Sequence, residues 1–373
     1  MAAGPFDFGE GHFLCPKMKG EPSMKMKTIL PFILVVTFLT ALLAGCTQQG
    51  TNTKDGPPSD TSVTITDIVG RTVTLPKPAE RIVGTHNPTM NIAIILGGGG
   101  KYIVGFGNKN MAGNLYSYVY PELDGVAQVG RGREINFESC IEMGADLAIL
   151  PERFADLAER FEEIGIPAAV ILPNNESYET IKESIRLLGI LLGEEERAAG
   201  IIAFYSEKIA AAEAIAARIS TTQSVLYLGG SSPLSVANGL MLQSVMMETV
   251  GAVNVAKGVS GGGDFVNITI EEIIGWNPDV IYIPAYASYS IDDLLHDPAW
   301  SSINAIKNAK VYQFPSALEP WDYPTPSTLM GLGWLLNNLY PDLYSQDQLL
   351  ADARTYYEMV YGQTFSAVQL GLQ

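Results

Sequence analysis

The side chains able to do chemistry are few and widely spaced, and their types suit holding a molecule better than breaking one. His86 and His296 are the histidines beyond the first 45 residues, and no His-x-His or His-Glu-x-x-His spacing occurs. A dedicated site for a bare zinc ion is therefore not expected. Cys15 lies near the start and Cys46 ends an apolar run, which leaves Cys140 alone in the rest of the chain. That excludes a disulfide framework and a Cys-rich metal centre. Gly97 to Gly100 followed by Lys101 invites a phosphate-loop reading, but Ile95 stands at the required first glycine and Tyr102 replaces Ser or Thr. The run reads instead as a helix stop and turn. With no paired-carboxylate signature and no dinucleotide fingerprint, no enzymatic step is expected.

The residues left over belong to recognition. Arg131, Arg133 and Arg153 sit in short polar segments, and guanidinium groups offer a rigid fork of donors to anionic oxygens. They read equally well as partners of the neighbouring Glu134 and Glu152. Trp321 and Tyr323 lie in Pro-Trp-Asp-Tyr-Pro-Thr-Pro, a stiff non-helical context that presents rings to a ligand or closes off a core. His86 fits a hydrogen bond to a ligand, an approach to a metal, or a capping or surface imidazole.

These residues are placed by a repeating pattern. After a small hairpin expected around Gly70-Arg71, short β-branched runs alternate with amphipathic helical stretches. Candidate strands cover 81–84, 103–106, 147–150 and 169–172, with helices at 89–96, 137–143, 154–164 and 178–192. Such alternation predicts a parallel sheet with helices on its faces. Residues 194–219 hold no Pro and dense Ala, with apolar positions 201, 202, 205, 209, 212, 216 and 219 at helical spacing. At 1.5 Å per residue they would span about 39 Å, a length that suits a strut between two lobes. The alternation then restarts, with strands at 225–228, 280–283 and 310–314 and helices at 241–250, 291–295, 327–339 and 346–361. The fold class expected is α/β, two Rossmann-like lobes joined by one long helix. An internal echo supports two related lobes: 135–150 matches 268–283 position for position, sharing Glu138 with Glu271 and Asp146 with Asp279.

Composition and the N-terminus set the compartment. The chain has 373 residues, room for two ordinary domains, and a net charge of −17 that argues against nucleic acid as a partner. Residues 24–45 read as a secretory signal: Met-Lys-Met-Lys, an uncharged apolar stretch, then Leu-Ala-Gly before Cys46. The ending resembles a lipobox, so Cys46 is the expected lipidation site and the working part is expected outside the cytoplasmic membrane, lipid-anchored. A transmembrane anchor is the competing reading. Residues 1–23 read as a mis-assigned leader, the purine-rich codons of Lys19-Gly20-Glu21 being a translated ribosome-binding site, with the start at Met24 or Met26. Residues 46–62 read as a flexible tether, followed by an N-terminal lobe over 63–193, the helix over 194–221 and a C-terminal lobe over 222–373.

Lipobox, tether, Asp67-Ile-Val-Gly-Arg-Thr-Val-Thr-Leu-Pro and Pro78-Ala-Glu-Arg-Ile-Val together resemble the start of an iron-complex substrate-binding lipoprotein of ABC importers for siderophores, haem and cobalamin. The resemblance runs on through Asn136-Phe-Glu, Gly144-Ala-Asp-Leu-Ala-Ile-Leu, Ile185-Arg-Leu-Leu-Gly, Asn277-Pro-Asp-Val-Ile and Asp297-Pro-Ala-Trp. It covers Val63 to Leu349, and the order of these motifs is what makes it specific. It implies capture of a chelated metal, with an iron siderophore first, a corrinoid second and haem third, and no intrinsic cofactor. It also implies an ABC permease dimer with a cytoplasmic ATPase as partner, to which a monomer delivers its cargo. An exported ligand sensor without transport is the alternative.

Ligands of open α/β sheets lie beyond the carboxyl ends of strands. The expected contacts on the first lobe are His86, Asn87, Met90, Lys109, Met111, Arg131, Arg133 and Arg153, the three arginines forming a positive basin for an anionic chelate. On the second lobe they are Ser231, Tyr286, Tyr289, Trp321 and Tyr323, the aromatics covering an apolar face. The family resemblance further implies that Glu138 and Glu271 meet arginines of the permease, against the simpler reading of helix-start carboxylates favourable to the dipole.

Overall fold

The computed structural model describes residues 61–109, 113–284, 286–315 and 317–372. The signal-like segment, Cys46, most of the tether and Met111 lie outside the described residues. The described residues fall within one compact unit, Asp55–Gln373.

The chain enters through an antiparallel pair, β1 (Val63–Thr66) and β2 (Thr72–Leu75), in register Val63 to Leu75. Alternation decides its sides: Ile65, Val73 and Leu75 are buried while the threonines face out. The buried Asp67 carboxylate fixes the turn, accepting from the backbone N–H of Val69 at 3.2 Å and of Arg71 at 2.8 Å.

The first sheet follows. Its strands are β3 (Ile82–Gly84) and β4 (Ile103–Phe106), then, after the hairpin β5 (Gly130–Arg131) and β6 (Glu134–Ile135), β7 (Leu147–Pro151) and β8 (Ala168–Leu172). The four main strands are all parallel, in the order β4-β3-β7-β8. β7 and β8 are buried along their whole length, as strands covered by helices on both faces must be. The helices are α1 (Asn87–Gly97), α2 (Leu115–Val119), α3 (Phe137–Glu142), α4 (Leu157–Glu163) and α5 (Tyr178–Leu192). Ser177 starts α5 with a reciprocal capping box to Thr180, and Gly193 ends it in the left-handed conformation.

Helix α6 (Glu195–Ala216) spans 22 residues, shorter than the 26 expected because the last turns around Arg218 and Ile219 close as 3-residue turns. Only one stripe of it is buried: Ala198, Ile201, Tyr205, Ile209 and Ala212. Its closest neighbour is α5, where a Cβ on Gly189 would sit 2.6 Å from the Ala198 Cβ. Small residues at that point let the two backbones approach. Burial of Ile201, Tyr205 and Ile209 stabilises the seam by roughly 1.5–3 kcal/mol each.

Beyond α6 the second sheet is built from β9 (Ser224–Tyr227), β11 (Val253–Asn254), β13 (Val280–Ile283) and β14 (Val311–Gln313), while β10 (Ser235–Val236) pairs with β12 (Val266–Asn267). Its order is β11-β9-β13-β14, again all parallel. Numbered within each sheet, both run second, first, third, fourth. The molecule is thus a mixed α/β protein of two parallel sheets linked by one passage of the chain through a long helix.

The helices of this half are α7 (Leu242–Thr249), α8 (Ile270–Trp276), α9 (Ile291–His296), α10 (Asn304–Lys307), α11 (Thr328–Leu339), α12 (Gln346–Tyr361) and α13 (Ala367–Leu370). The C-terminal chain returns to the helices of the first half, Asn91 of α1 donating to the Tyr361 hydroxyl of α12 at 3.4 Å. Leu115 N–H donates to Leu318 O at 3.0 Å, and Arg197 Nη2 donates to Val360 O at 2.7 Å. One apolar core consequently runs from Ile82 and Leu147 through Tyr205 to Tyr282 and Tyr356. The strut is not the sole connection; the C-terminal chain packs across the same joint. No helix among the described residues is long and apolar enough to cross a membrane.

Candidate ligand-binding cleft

A cleft of about 350 Å³ opens where the loops at the carboxyl ends of both sheets converge. His86 and Asn87 reach it from the β3–α1 junction, Asn108 from the end of β4, Arg153 from the end of β7 and Glu176 from the end of β8. The other wall is Met241 and Gln243 at the start of α7, Phe265 before β12, Tyr286 after β13, and Asp322 and Tyr323 after β14.

Four polar atoms of the lining residues, two from each side, are buried and unpartnered: His86 Nδ1, Asn87 Nδ2, Gln243 Oε1 and Asp322 Oδ1. Leaving such a group unpaired costs about 1–3 kcal/mol, and all four atoms belong to residues that line this one cavity. Asn87 offers a donor, Gln243 and Asp322 offer acceptors. Gln243 is held in place by its own amide, which donates to Asp322 O at 2.9 Å. Asp322 is braced by the Tyr227 hydroxyl on its other carboxylate oxygen. Asn108 is in the left-handed region at φ 56°, and its side chain donates to Thr85 O at 3.2 Å, which pins the β3 loop from behind.

The charge is mixed. Arg153 Nη2 meets Glu176 Oε1 at 3.2 Å. Burial pushes the Glu176 carboxyl up to about 7, an effect that Arg153 opposes and Asp264 reinforces. Burial likewise raises Asp322 to about 6, while the Tyr227 hydrogen bond pulls it back. His86 is driven down to about 3, first by burial and then by the Arg153 charge, so its imidazole is neutral. Tyr286 and Tyr323 meet edge to face with centroids 5.4 Å apart, and burial raises both hydroxyls far above their ordinary value. One further contact closes the cleft at its rim. A Cβ on Gly263 would lie 2.4 Å from Asn174 O, so the glycine loop of the second half rests directly on backbone of the first.

Of the residues expected at the site, His86, Asn87, Arg153, Tyr286 and Tyr323 come together here. Met90, on α1 itself, is turned into the apolar core. Lys109 is consumed by three carbonyls, those of Leu123, Asp124 and Val126 at 3.0, 3.2 and 3.0 Å. Arg131 lies exposed on the β5–β6 hairpin. Arg133 bonds Asp156 at 2.5 Å and Arg153 O at 2.6 Å. The three-arginine basin therefore does not form, and one guanidinium faces the ligand space. Ser231 is exposed outside the cleft, and Tyr289 donates to Gly229 O at 2.7 Å in a separate core. Trp321 is 1% exposed and its indole donates to the Tyr357 hydroxyl at 2.9 Å, so the aromatic wall is Tyr286, Tyr323 and Phe265.

Asn108 and Asp322 lie within loops expected at the site without being singled out there, and Glu176, Met241, Gln243 and Phe265 were not expected. The signal for Glu176 was present: it follows a strand, and the rule about strand ends applies to β8 as to the others. Gly258 to Gly262 also spells Gly-x-Ser-x-Gly, but it lies in the loop between β11 and β12 with no helix following, so it is no nucleophile elbow. Cys140 is buried and its thiol is pushed up to about 11. Among the described residues no group of three or more His, Cys, Asp or Glu could hold a metal ion.

Glu138 and Glu271 lie apart from this cleft, each exposed at the second residue of its helix. Asn136 caps α3 and Thr269 caps α8 at corresponding positions. Among the described residues neither glutamate takes part in an ion pair.

Comparison with known proteins matches this arrangement. The profile of a family described as periplasmic binding protein fits residues 90–318. The chain is 26% identical over 321 residues to the molybdate-binding protein MolA of Haemophilus influenzae, covering 80% of this chain and 90% of MolA. The structure of MolA bound to molybdate superposes with a TM-score of 0.70 at 23% identity, over 81% of this chain and 99% of that one. A periplasmic solute-binding protein of Veillonella parvula gives a TM-score of 0.73 at 26% identity, over 84% and 96%. The Helicobacter pylori CeuE Ni–His complex gives 0.68 at 18%, over 83% and 98%. These relatives are described as binding proteins; this chain belongs to the periplasmic binding protein family and is a solute-binding protein, not an enzyme.

Proposed function

We propose that this chain is the extracytoplasmic receptor of an ABC importer, held at the membrane by a lipid on Cys46, and that its cargo is a compact metal chelate of low net charge. The observation that carries the ligand class is the set of four unpartnered buried atoms, donor and acceptor together, around the Arg153–Glu176 pair. Such a lining suits a complex whose own ligands expose both carboxylate oxygens and N–H or O–H groups. A strongly anionic ferric siderophore is less well served, because a single arginine faces the space and it already has a carboxylate beside it. Haem and corrinoids need broad apolar walls, and the cleft is near the small end of the roughly 300–1,000 Å³ usual for ligand pockets. On this reading the metal is cargo carried by its own ligands, since no group of three or more His, Cys, Asp or Glu among the described residues could hold a bare ion.

Glu138 and Glu271 are assigned to docking on the permease. Their support is equivalence: same helix position, both exposed, both without a cationic partner. Two separated carboxylates steer association by charge.

A second reading, a tetrahedral metal oxyanion, is favoured by the similarity to MolA and by the N-terminus of α1, which opens at His86 and Asn87 without an acidic residue in its first turn. Calorimetric titration with ferric citrate, nickel–histidine, a ferric catecholate siderophore, haem, cyanocobalamin and molybdate tests both. Binding of the first two in the micromolar range or tighter is expected. Binding of molybdate alone would replace the chelate by the oxyanion, and tight binding of haem or cyanocobalamin alone would overturn both. Uptake that persists when the partner permease is deleted would favour a sensor over a transport receptor.

A further inference from the structure

The internal echo extends to exposure. Along 135–150 and 268–283, buried, half-buried and exposed classes agree at every paired position except 139 with 272 and 145 with 278. Cys140 and Ile273, equivalent in the echo, are each fully buried and seat their helix against the sheet. The next residue is isoleucine in both, and in both it faces water: Ile141 is 52% and Ile274 is 39% exposed.

A single exposed aliphatic residue means little. The same one at the same place in two lobes of otherwise different surface sequence is a different observation. Isoleucine is also a poor choice for the solvent face of a short helix, since its β-branch restricts χ1 there and offers water nothing. Each isoleucine follows its docking glutamate by three residues, a spacing that puts both on one helix face. Each lobe thus presents a free carboxylate beside an apolar knob.

Resting on the receptor reading above, we infer that Ile141 and Ile274 are the paired apolar anchors by which the two lobes seat on a two-fold symmetric permease, whose halves each offer a basic side chain next to an apolar socket. The division of labour follows from the physics. Charges at the rim set how fast the partners meet and how salt affects it, while a desolvated aliphatic contact sets how long they stay. A partner with two equal sockets matches two equal knobs, and a lone or unmatched socket would leave one isoleucine in water.

The test uses the full-length lipoprotein and the permease–ATPase complex of its own importer in lipid nanodiscs, with association and dissociation read separately by interferometry. Ile141→Ser and Ile274→Ser should each speed dissociation about tenfold, and the double variant about a hundredfold. Association rate and its salt dependence should stay as in the parent, and leucine at either position should restore slow dissociation. Glu138→Gln with Glu271→Gln should show the converse, slower association and a weaker response to salt. Unchanged melting temperatures establish that the serine variants are folded, as exposed positions require. If the parent binds and the double serine variant leaves at the parental rate, the inference falls while the receptor reading stands. If only one isoleucine matters, the matched two-fold contact falls. Failure of the parent itself to bind the complex would remove the receptor reading and the inference with it. A concentration-dependent dimer in ultracentrifugation that the double variant abolishes would assign the patch to a second copy of the chain and overturn the proposal.

Discussion

The two sheets run in the same strand order and are tied together in the same way, yet the loops leaving them carry different chemistry. Asp146 accepts from the N–H groups of Glu80 and Arg81 at 2.9 and 2.8 Å, and its own N–H returns to Arg81 O at 2.9 Å. Asp279 bonds the hydroxyl of Ser224 at 2.7 Å and its N–H at 3.3 Å, and returns to Ser224 O at 3.0 Å. Both aspartates therefore lock the entry of the third strand onto the first. At the opposite ends the match is gone. The first half supplies a neutral imidazole, two amides and Arg153; the second supplies Gln243, Asp322 and three aromatic rings. Where strands begin, the constraint is shared and the residues agree. Where they end, the two halves present unlike chemistry to the cleft between them.

The largest effect should come from cutting the shared tie. Asp146→Ala and Asp279→Ala should each lower unfolding free energy by about 1.5–3 kcal/mol, the range for hydrogen bonds to a charged acceptor, as read by urea denaturation. A silent substitution in one half would break the equivalence. Next, Asn87→Ala and Gln243→Ala, one from each side of the cleft, should each weaken cargo binding about tenfold by calorimetry. Trp321→Phe should lower stability through the lost bond to Tyr357 while leaving affinity within about twofold. A large loss of affinity there would restore the tryptophan to the ligand wall.

A change of pH rather than of residue tests the joint between the halves. Glu319 is buried with one carboxyl oxygen unpartnered, and burial pushes it up to about 8 from an ordinary 4.5. Below about 4.5 the folded and unfolded chains both hold the proton, so its contribution to stability is fully present. Between about 4.5 and 8 only the folded chain keeps it, so stability falls as pH rises, and the loss is complete above about 8. Melting temperature should decline over that window, and Glu319→Gln should make the decline shallower, the remainder coming from Glu176 and Asp322, which burial raises in the same direction. An equal slope in the variant would place the titration elsewhere.

Much of the scaffold was legible in the residues. Helix α5 begins and ends at its expected limits, 178 and 192, and α12 and β13 also coincide with theirs. These elements announce themselves through local spacing. The two-residue ladders of β10 and β12 do not, because nothing in Ser235-Val236 signals a partner thirty residues away. The site was half legible for the same reason. Strand-end loops identified Asn87, Arg153 and Tyr323, but pattern alone cannot say that Arg133 will find Asp156, that Lys109 will fold back onto three carbonyls, or that α12 will cover Trp321. Periodicity reports that a face is buried, and a charge or ring learns its neighbour only when the chain returns.

Where Gly263 rests on Asn174, nothing intervenes but backbone. A single methyl group added there would have to displace one main chain or the other, acting as a wedge at the mouth of the molecule. The width of that mouth is then set by main-chain contact at the rim and not by the side chains deep inside, so the size of cargo admitted and its hydrogen-bonding character are adjustable at separate places in the sequence.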